Sequence, residues 1–296
     1  MKKDQNITWR RTDLPLEISG KRVAIVGGTG GIGRALSKHL AARGAHVTVV
    51  GRTFRDAGNP NIDFVRADLE LMTEAQRVGE QLPAEDLDLV VFTTGIMAAR
   101  ERQETAEGIE RDMAVSYLSR LVLLRTLAPR LGTARAAGSP RPRVFVYGFP
   151  GSGQTAHVED LNFERSYASM KAHMTTVAGN EALVLDAASR YPDLAVFGLN
   201  PGFVKSNIRG NMMGEGTLKH RVMETVVGWF TPSADVYASR IAPLLVTPDI
   251  DRHSGAMFDR KGQAIRPSAT VTAPHVAQVV TASEQLLRDR VPALRL

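Results

Sequence analysis

The chain has 296 residues, of which 43% are hydrophobic and 23% charged, the balance of an ordinary soluble globular protein. It has no cysteine, which excludes disulfides, thiolate zinc sites and a cysteine nucleophile together and fits a reducing, cytoplasmic setting. The net charge of +6 is diffuse, and its one cluster (Arg130, Arg135, Arg141 and Arg143) sits in a Gly/Ala/Pro-rich stretch that reads as a solvated loop, not a nucleic-acid surface. No apolar run approaches the ~20 residues of a membrane helix, and the first twenty residues lack the apolar core of a signal peptide.

In chain order, residues 1–14 read as a loose arm, part of a 1–19 leader to a single domain over 20–296. A strand is expected at 23–26, then a glycine-rich turn and a helix over 32–43 stopped by Gly44. Strands follow at 47–50 and 62–65. A helix over 73–81 opens on a Thr73/Gln76 capping box. A strand at 87–92, a long helix at 107–130, a strand at 144–147, a helix at 167–189 and a strand at 194–199 come next. Residues 207–230 form an insertion containing Met, Gly and Trp, of the length used for substrate loops. A helix over 233–245, with Thr231 as a cap before Pro232, a strand at 256–258 and a helix at 275–288 end the chain. The strands are short and uniformly apolar, as strands buried on both faces are. Their alternation with helices predicts a doubly wound α/β Rossmann fold: a mostly parallel seven-stranded sheet with helices on both faces.

The first strand runs straight into Gly27-Gly28-Thr29-Gly30-Gly31-Ile32-Gly33 and a helix. Glycines there permit a tight turn and close backbone approach to a pyrophosphate, and the helix N-terminus offers free N–H groups to phosphate oxygens. Spacing alone fits three glycine registers. The second strand ends Val50-Gly51-Arg52, with no acid to hold a ribose 2′-hydroxyl. Arg52 offers a forked cation for a 2′-phosphate, helped by Arg34 and Arg55, so the cofactor expected is NADP(H). The bland alternative for Arg52 is a surface arginine at a strand end.

Tyr167-Ala168-Ser169-Met170-Lys171 opens a helical pattern, with Tyr and Lys at i and i+4 on one face. A neighbouring ammonium lowers a phenol's pKa toward the range where it exchanges protons. Alone, the spacing is common. Together with the glycine turn and Asn200-Pro201-Gly202-Phe203-Val204-Lys205-Ser206, the set resembles the short-chain dehydrogenase/reductase family, in its retinol-dehydrogenase-like arrangement. The resemblance implies the register Gly27, Gly31, Gly33, with Thr29, Gly30 and Ile32 in the same cofactor turn. It implies Asp68 and Leu69 near the adenine, Thr94 and Gly95 after the fourth strand, and Pro201, Gly202, Val204 and Ser206 on the nicotinamide side. Tyr167 becomes the catalytic acid and Lys171 its tuner, and both also touch the cofactor. A homodimer or homotetramer joined through the 107–130 and 167–189 helices is likewise implied.

Three positions depart from the family. Its Asn-Asn-Ala-Gly reads Phe92-Thr93-Thr94-Gly95, its helical Asn reads Ser116, and its strand-five serine falls on Gly148 or Phe149. A missing oxyanion donor costs about 10²–10³ in rate. Ser152, swung back by Gly-Pro-Gly, is a candidate replacement and otherwise a loop serine; Thr94 and Ser116 are further candidate donors. His157, His173 and His220 lack metal-ligand spacing, so no metal is expected. The leading expectation is an NADP(H)-dependent reductase of a carbonyl or related C=X group on a small apolar molecule, with Met212, Met213, Met223, Trp229 and Phe230 as a wall. A catalytically eroded NADP(H) sensor or scaffold is the alternative. An epimerase or dehydratase is a third reading, weakened by the lack of a large C-terminal substrate region.

Overall fold

The computed structural model describes residues 1–10, 18–202 and 232–295. Val23 and Ile25 of β1 (Arg22–Val26) pack into one apolar layer, and Ala24 and Val26 into another. A strand covered on both faces must be apolar at every position, which is why the period-2 pattern is missing from the sequence. The same holds for β2 (His46–Gly51), β4 (Leu89–Phe92), β5 (Arg143–Tyr147) and β6 (Ala195–Leu199). With β3 (Ile62–Arg66), β7 (Met257–Phe258) and β8 (Ala264–Ile265) they form one sheet in the order β3-β2-β1-β4-β5-β6-β7-β8. All pairings are parallel except β7 with β8. The expected seven-stranded sheet is thus eight-stranded. The extra strand has two residues between polar neighbours and leaves no apolar run to read.

On one face lie α1 (Gly31–Ala41) and α6 (Ala234–Val246). The other carries α2 (Met72–Gln81), α5 (Ser169–Arg190), α7 (Ala273–Arg290), and α3 (Arg111–Met113) running through a π turn (Ala114–Leu118) into α4 (Ser119–Leu127). The expected helix over 107–130 starts later because Gly108 takes φ +72° and Glu110 is the N-cap, its carboxylate accepting the Met113 N–H at 2.8 Å. The expected helix over 167–189 starts at Ser169, with Ala168 extended as N-cap. Ser233, not Thr231-Pro232, caps α6 by accepting the Val236 N–H.

The Thr73/Gln76 capping box does not form either. Helix α2 begins one residue earlier, and Glu107, far along the chain, accepts from the N–H of Met72 and Thr73 and from the Thr73 hydroxyl. Gln76 turns away to Glu80. Residues 133, 134 and 136–140 of the arginine-bearing stretch form an exposed loop, but the arginines themselves are engaged. Arg130 pairs with Glu85, Arg135 with Asp88 and Arg143 with Asp251, while Arg141 donates to the carbonyls of Pro192, Leu194 and Asp251. Cations placed among acids and free carbonyls satisfy those groups.

Residues 1–10 of the expected N-terminal arm are docked, not loose, and residues 11–14 lie outside the described residues. Lys3 bridges β8 at Ile265, Asp4 N–H reaches Ala264, and Trp9 Nε1 donates to the Gly262 carbonyl at 2.6 Å. The α4 and α5 helices, expected to contact a second subunit, are covered within the chain. Residues 119–124 are all buried, the Tyr117 hydroxyl bonds Ser283 of α7, and Arg125 pairs with Asp186 and with Glu284 of α7.

Replacing Glu107 by Ala leaves three donors at the start of α2 without their acceptor. A loss of about 1–2 kcal/mol is expected in urea unfolding, whereas Gln76→Ala should be neutral. Equal effects of the two would show that the cap is local after all.

Candidate active site

Strand order reverses between β1 and β4: the chain builds outward from β1 to β3, then returns to β1's other side. In open α/β sheets ligands bind in the crevice above this point, at the carboxyl ends of the strands. The glycine turn lies there. Gly27 takes φ +90°, and a Cβ on it would stand 2.5 Å from the Thr94 nitrogen; one on Gly33 would stand 2.4 Å from Thr93 Oγ1 and 2.5 Å from the Gly27 carbonyl. Those two glycines are therefore fixed by backbone-to-backbone packing. Gly30 is different: nothing lies within 4 Å of its missing Cβ. It is the N-cap of α1, and no side chain caps that helix, so its first N–H groups and the positive dipole end face the opening. Gly31 takes φ +49°, Thr29 packs against Gly51 at the end of β2, and Ile32 leans on the α1-side core.

Arg52 follows β2 and is exposed, with Nη1 3.6 Å from Glu70. Glu70 is more tightly held by Arg111 at 2.7 Å, so Arg52 is loosely engaged. Arg34 is committed: its guanidinium forks onto Asp56 at 2.7–3.1 Å, and that carboxylate raises the arginine pKa further. Asp68 is exposed and accepts the Glu70 N–H, while Leu69 is buried. Thr94 leaves a buried hydroxyl with no partner at the crevice floor, beside Gly95. Asn200 Oδ1 accepts the Gly202 N–H and fixes the Pro201-Gly202 turn at φ +62°. Val204, Ser206 and the whole 207–230 insertion lie outside the described residues.

Tyr167 and Lys171 do not share a helical face, since Tyr167 precedes the N-cap of α5. The Tyr167 hydroxyl donates to the Ala99 carbonyl at 2.6 Å, and its ring packs edge-on against Phe163. Burial, and then the nearby Glu110 carboxyl, raise the phenol pKa, the opposite of the expected tuning. Lys171 is exposed in the first turn of α5. Ser152 lies in the turn after β5. Its neighbour Gly151 packs on Arg266 and Ile265, Gly153 N–H donates to Ser268, and the Ser152 hydroxyl is buried without a partner. Gly148 has no side chain to supply a donor.

Ser116 sits in the π turn. Its hydroxyl donates to Asp112 at 2.5 Å and accepts the Ile96 N–H at 3.0 Å. Asp112 is fully buried and also meets His173 Nδ1 at 2.8 Å. Arg120 is buried, its guanidinium donating to the carbonyls of Thr94 and Tyr147 and to Asn180 Oδ1. Burial pulls its pKa down to about 9, partly offset by Asp112. Sequence reasoning missed Asp112, Arg120 and the role of His173. The available signal was the four-residue spacing of Asp112, Ser116 and Arg120, which puts three polar residues on one face of the helix.

A family model described as short chain dehydrogenase matches residues 21–140. A Saccharomyces cerevisiae protein described as an uncharacterized oxidoreductase is 47% identical over 98% of this chain and 97% of its own length. A Streptomyces protein provisionally named daunorubicin C-13 ketoreductase is 30% identical over 68% of this chain and 70% of its own. Among solved structures, a Shigella flexneri chain provisionally classed as a short chain dehydrogenase and complexed with NADP superposes with a TM-score of 0.58, at 16% identity, over 82% of this chain and 98% of its own. The chain belongs to the short-chain dehydrogenase/reductase family, and it is an oxidoreductase of that family.

Glu110, buried beside this site, has its carboxyl pushed up to about 7, first by desolvation and then by Asp112, against the Met113 N–H. A carboxyl raised on folding stabilises most below its unfolded value of 4.5 and loses that contribution as pH rises through about 7. Glu110→Gln keeps an acceptor for Met113 and removes the titration. Urea unfolding from pH 4.5 to 8 should show native stability declining relative to the variant; parallel curves would refute the assignment.

Proposed function

We propose that the chain uses NADPH to reduce a carbonyl or related C=X group on a small apolar molecule. The observation that carries this is the uncapped, glycine-lined N-terminus of α1 at the sheet's switch point, with Arg52 and no acid at the end of β2. The residues present fit a dinucleotide: open space at Gly30, free N–H groups, and the orphaned Thr94 hydroxyl on the crevice floor. In this reading the α1 N-terminus holds the pyrophosphate and Arg52 the 2′-phosphate. When bound, NADPH supplies the hydride. Tyr167 gives the substrate oxygen its proton, leaving the Ala99 carbonyl to do so; its raised phenol pKa comes down in this reading only when that movement brings the Lys171 ammonium beside it. The ketoreductase name of one relative and the NADP of one structural neighbour support the reading. A cytoplasmic setting belongs to it, as does a homo-oligomer built on surfaces other than α4 and α5. Among the described residues no helix is long and apolar enough to cross a membrane.

The alternative is an NADP(H)-binding sensor or scaffold, favoured by one observation: the residue just past β5 is Gly148, which carries no donor, and the Ser152 hydroxyl further along is buried without a partner. Turnover with aldehydes and ketones separates the two.

Titration with both reduced cofactors should give tighter NADPH binding, and Arg52→Ala should bring NADPH affinity down by at least about tenfold, the loss of one charge-assisted contact, while leaving NADH unchanged. Equal affinities in the native protein would sink the cofactor assignment.

Tyr167→Phe keeps the ring and removes the proton. Carbonyl reduction should fall by roughly 10²–10⁴ with cofactor binding intact, and Ser152→Ala should cost less than about tenfold. Full activity in the Tyr167 variant would place the proton elsewhere.

A further inference from the structure

Arg120 is 3% exposed, yet no carboxylate among the described residues lies within ion-pair distance of its guanidinium. Its donors go to neutral oxygens, those of Thr94, Tyr147 and Asn180, and its Nε is buried without a partner. The acid whose field it feels, Asp112, is already shared between Ser116 and His173. A cation held in this way is costly to bury and carries an uncompensated positive field.

Its position gives that field a target. With the 2′-phosphate at Arg52 on β2 and the pyrophosphate at α1 over β1, the remaining half of the dinucleotide extends toward β4 and β5, the next strands in the sheet. Arg120 links the ends of those two strands, bonding Thr94 just past β4 and Tyr147 at the end of β5. It therefore lies directly beneath the floor on which the nicotinamide would rest. The oxidised ring is a cation and the reduced ring is neutral.

We propose that Arg120 is a specificity-determining residue that disfavours the oxidised, cationic nicotinamide and so biases the site toward the reduced cofactor and toward reduction. This rests on the dinucleotide reading above. A cation near a charged ring raises that state's free energy, and in a partly desolvated site the effect survives over several ångströms.

The test compares dissociation constants of NADPH and NADP⁺ for the native protein, Arg120→Lys and Arg120→Gln, by fluorescence titration without substrate. The native protein should prefer NADPH. Arg120→Lys, which disturbs the packing but keeps the charge, should hold that preference to within about twofold. Arg120→Gln should shrink it by about fivefold or more, the scale of one charge at intermediate dielectric. A merely structural arginine predicts that both affinities fall together in Arg120→Gln with their ratio unchanged, and that result overturns the inference. Equal affinity of the native protein for the two forms overturns it even if both variants fail to fold. Both of these leave the dinucleotide reading standing. Binding of neither cofactor to the native protein overturns the reading and the inference together.

Discussion

The site depends on a place where no side chain fits. Gly27 and Gly33 bring the turn after β1 against the backbone leaving β4, with Thr93 donating its hydroxyl to the Val26 carbonyl across the gap. That contact joins the two strands at which the sheet changes direction. It also aims the start of α1 over their ends. A methyl group at either glycine would push the helix off its seat and, with it, the N–H groups that face the crevice. Orientation of an entire helix is set by two missing Cβ atoms.

The core was legible because its physics is local. Strands buried on both faces must be apolar throughout, and all seven expected strands stand within two residues of their expected bounds. The glycine turn was legible for the same reason: it demands residues with no side chain. Helix starts were less so. Ala168 is extended and Gly108 left-handed for reasons of tertiary fit, which shift α5 and α3 away from the places their apolar patterns suggest. The cap on α2 is the clearest case, since its acceptor, Glu107, is remote in sequence and spatial proximity cannot be read from a local motif.

The catalytic region was legible in its residue types and not in its geometry. Tyr167, Lys171 and Ser116 were found by spacing and by resemblance, but the hydroxyls bond to Ala99 and Asp112, partners that only folding brings near. The π turn matters here. It widens one turn of the helix, and the freed Ser116 carbonyl accepts from Asn180 of α5, the same residue whose oxygen receives Arg120. One side chain thereby couples Ser116 to the buried cation beneath the crevice.

The two rims of the sheet are protected by different means. At one, β8 is only two residues long and its free backbone is met by the arm at Lys2, Lys3 and Asp4. At the other, β3 is open but bears the exposed, charged Asp63 and Arg66, and Phe64 is roofed by a stacked Phe54 at 4.9 Å. Bare edges recruit further strands from neighbouring molecules. Losing the arm would uncover an apolar hairpin margin, so the first few residues act as insulation against polymerisation as much as they act as part of the fold.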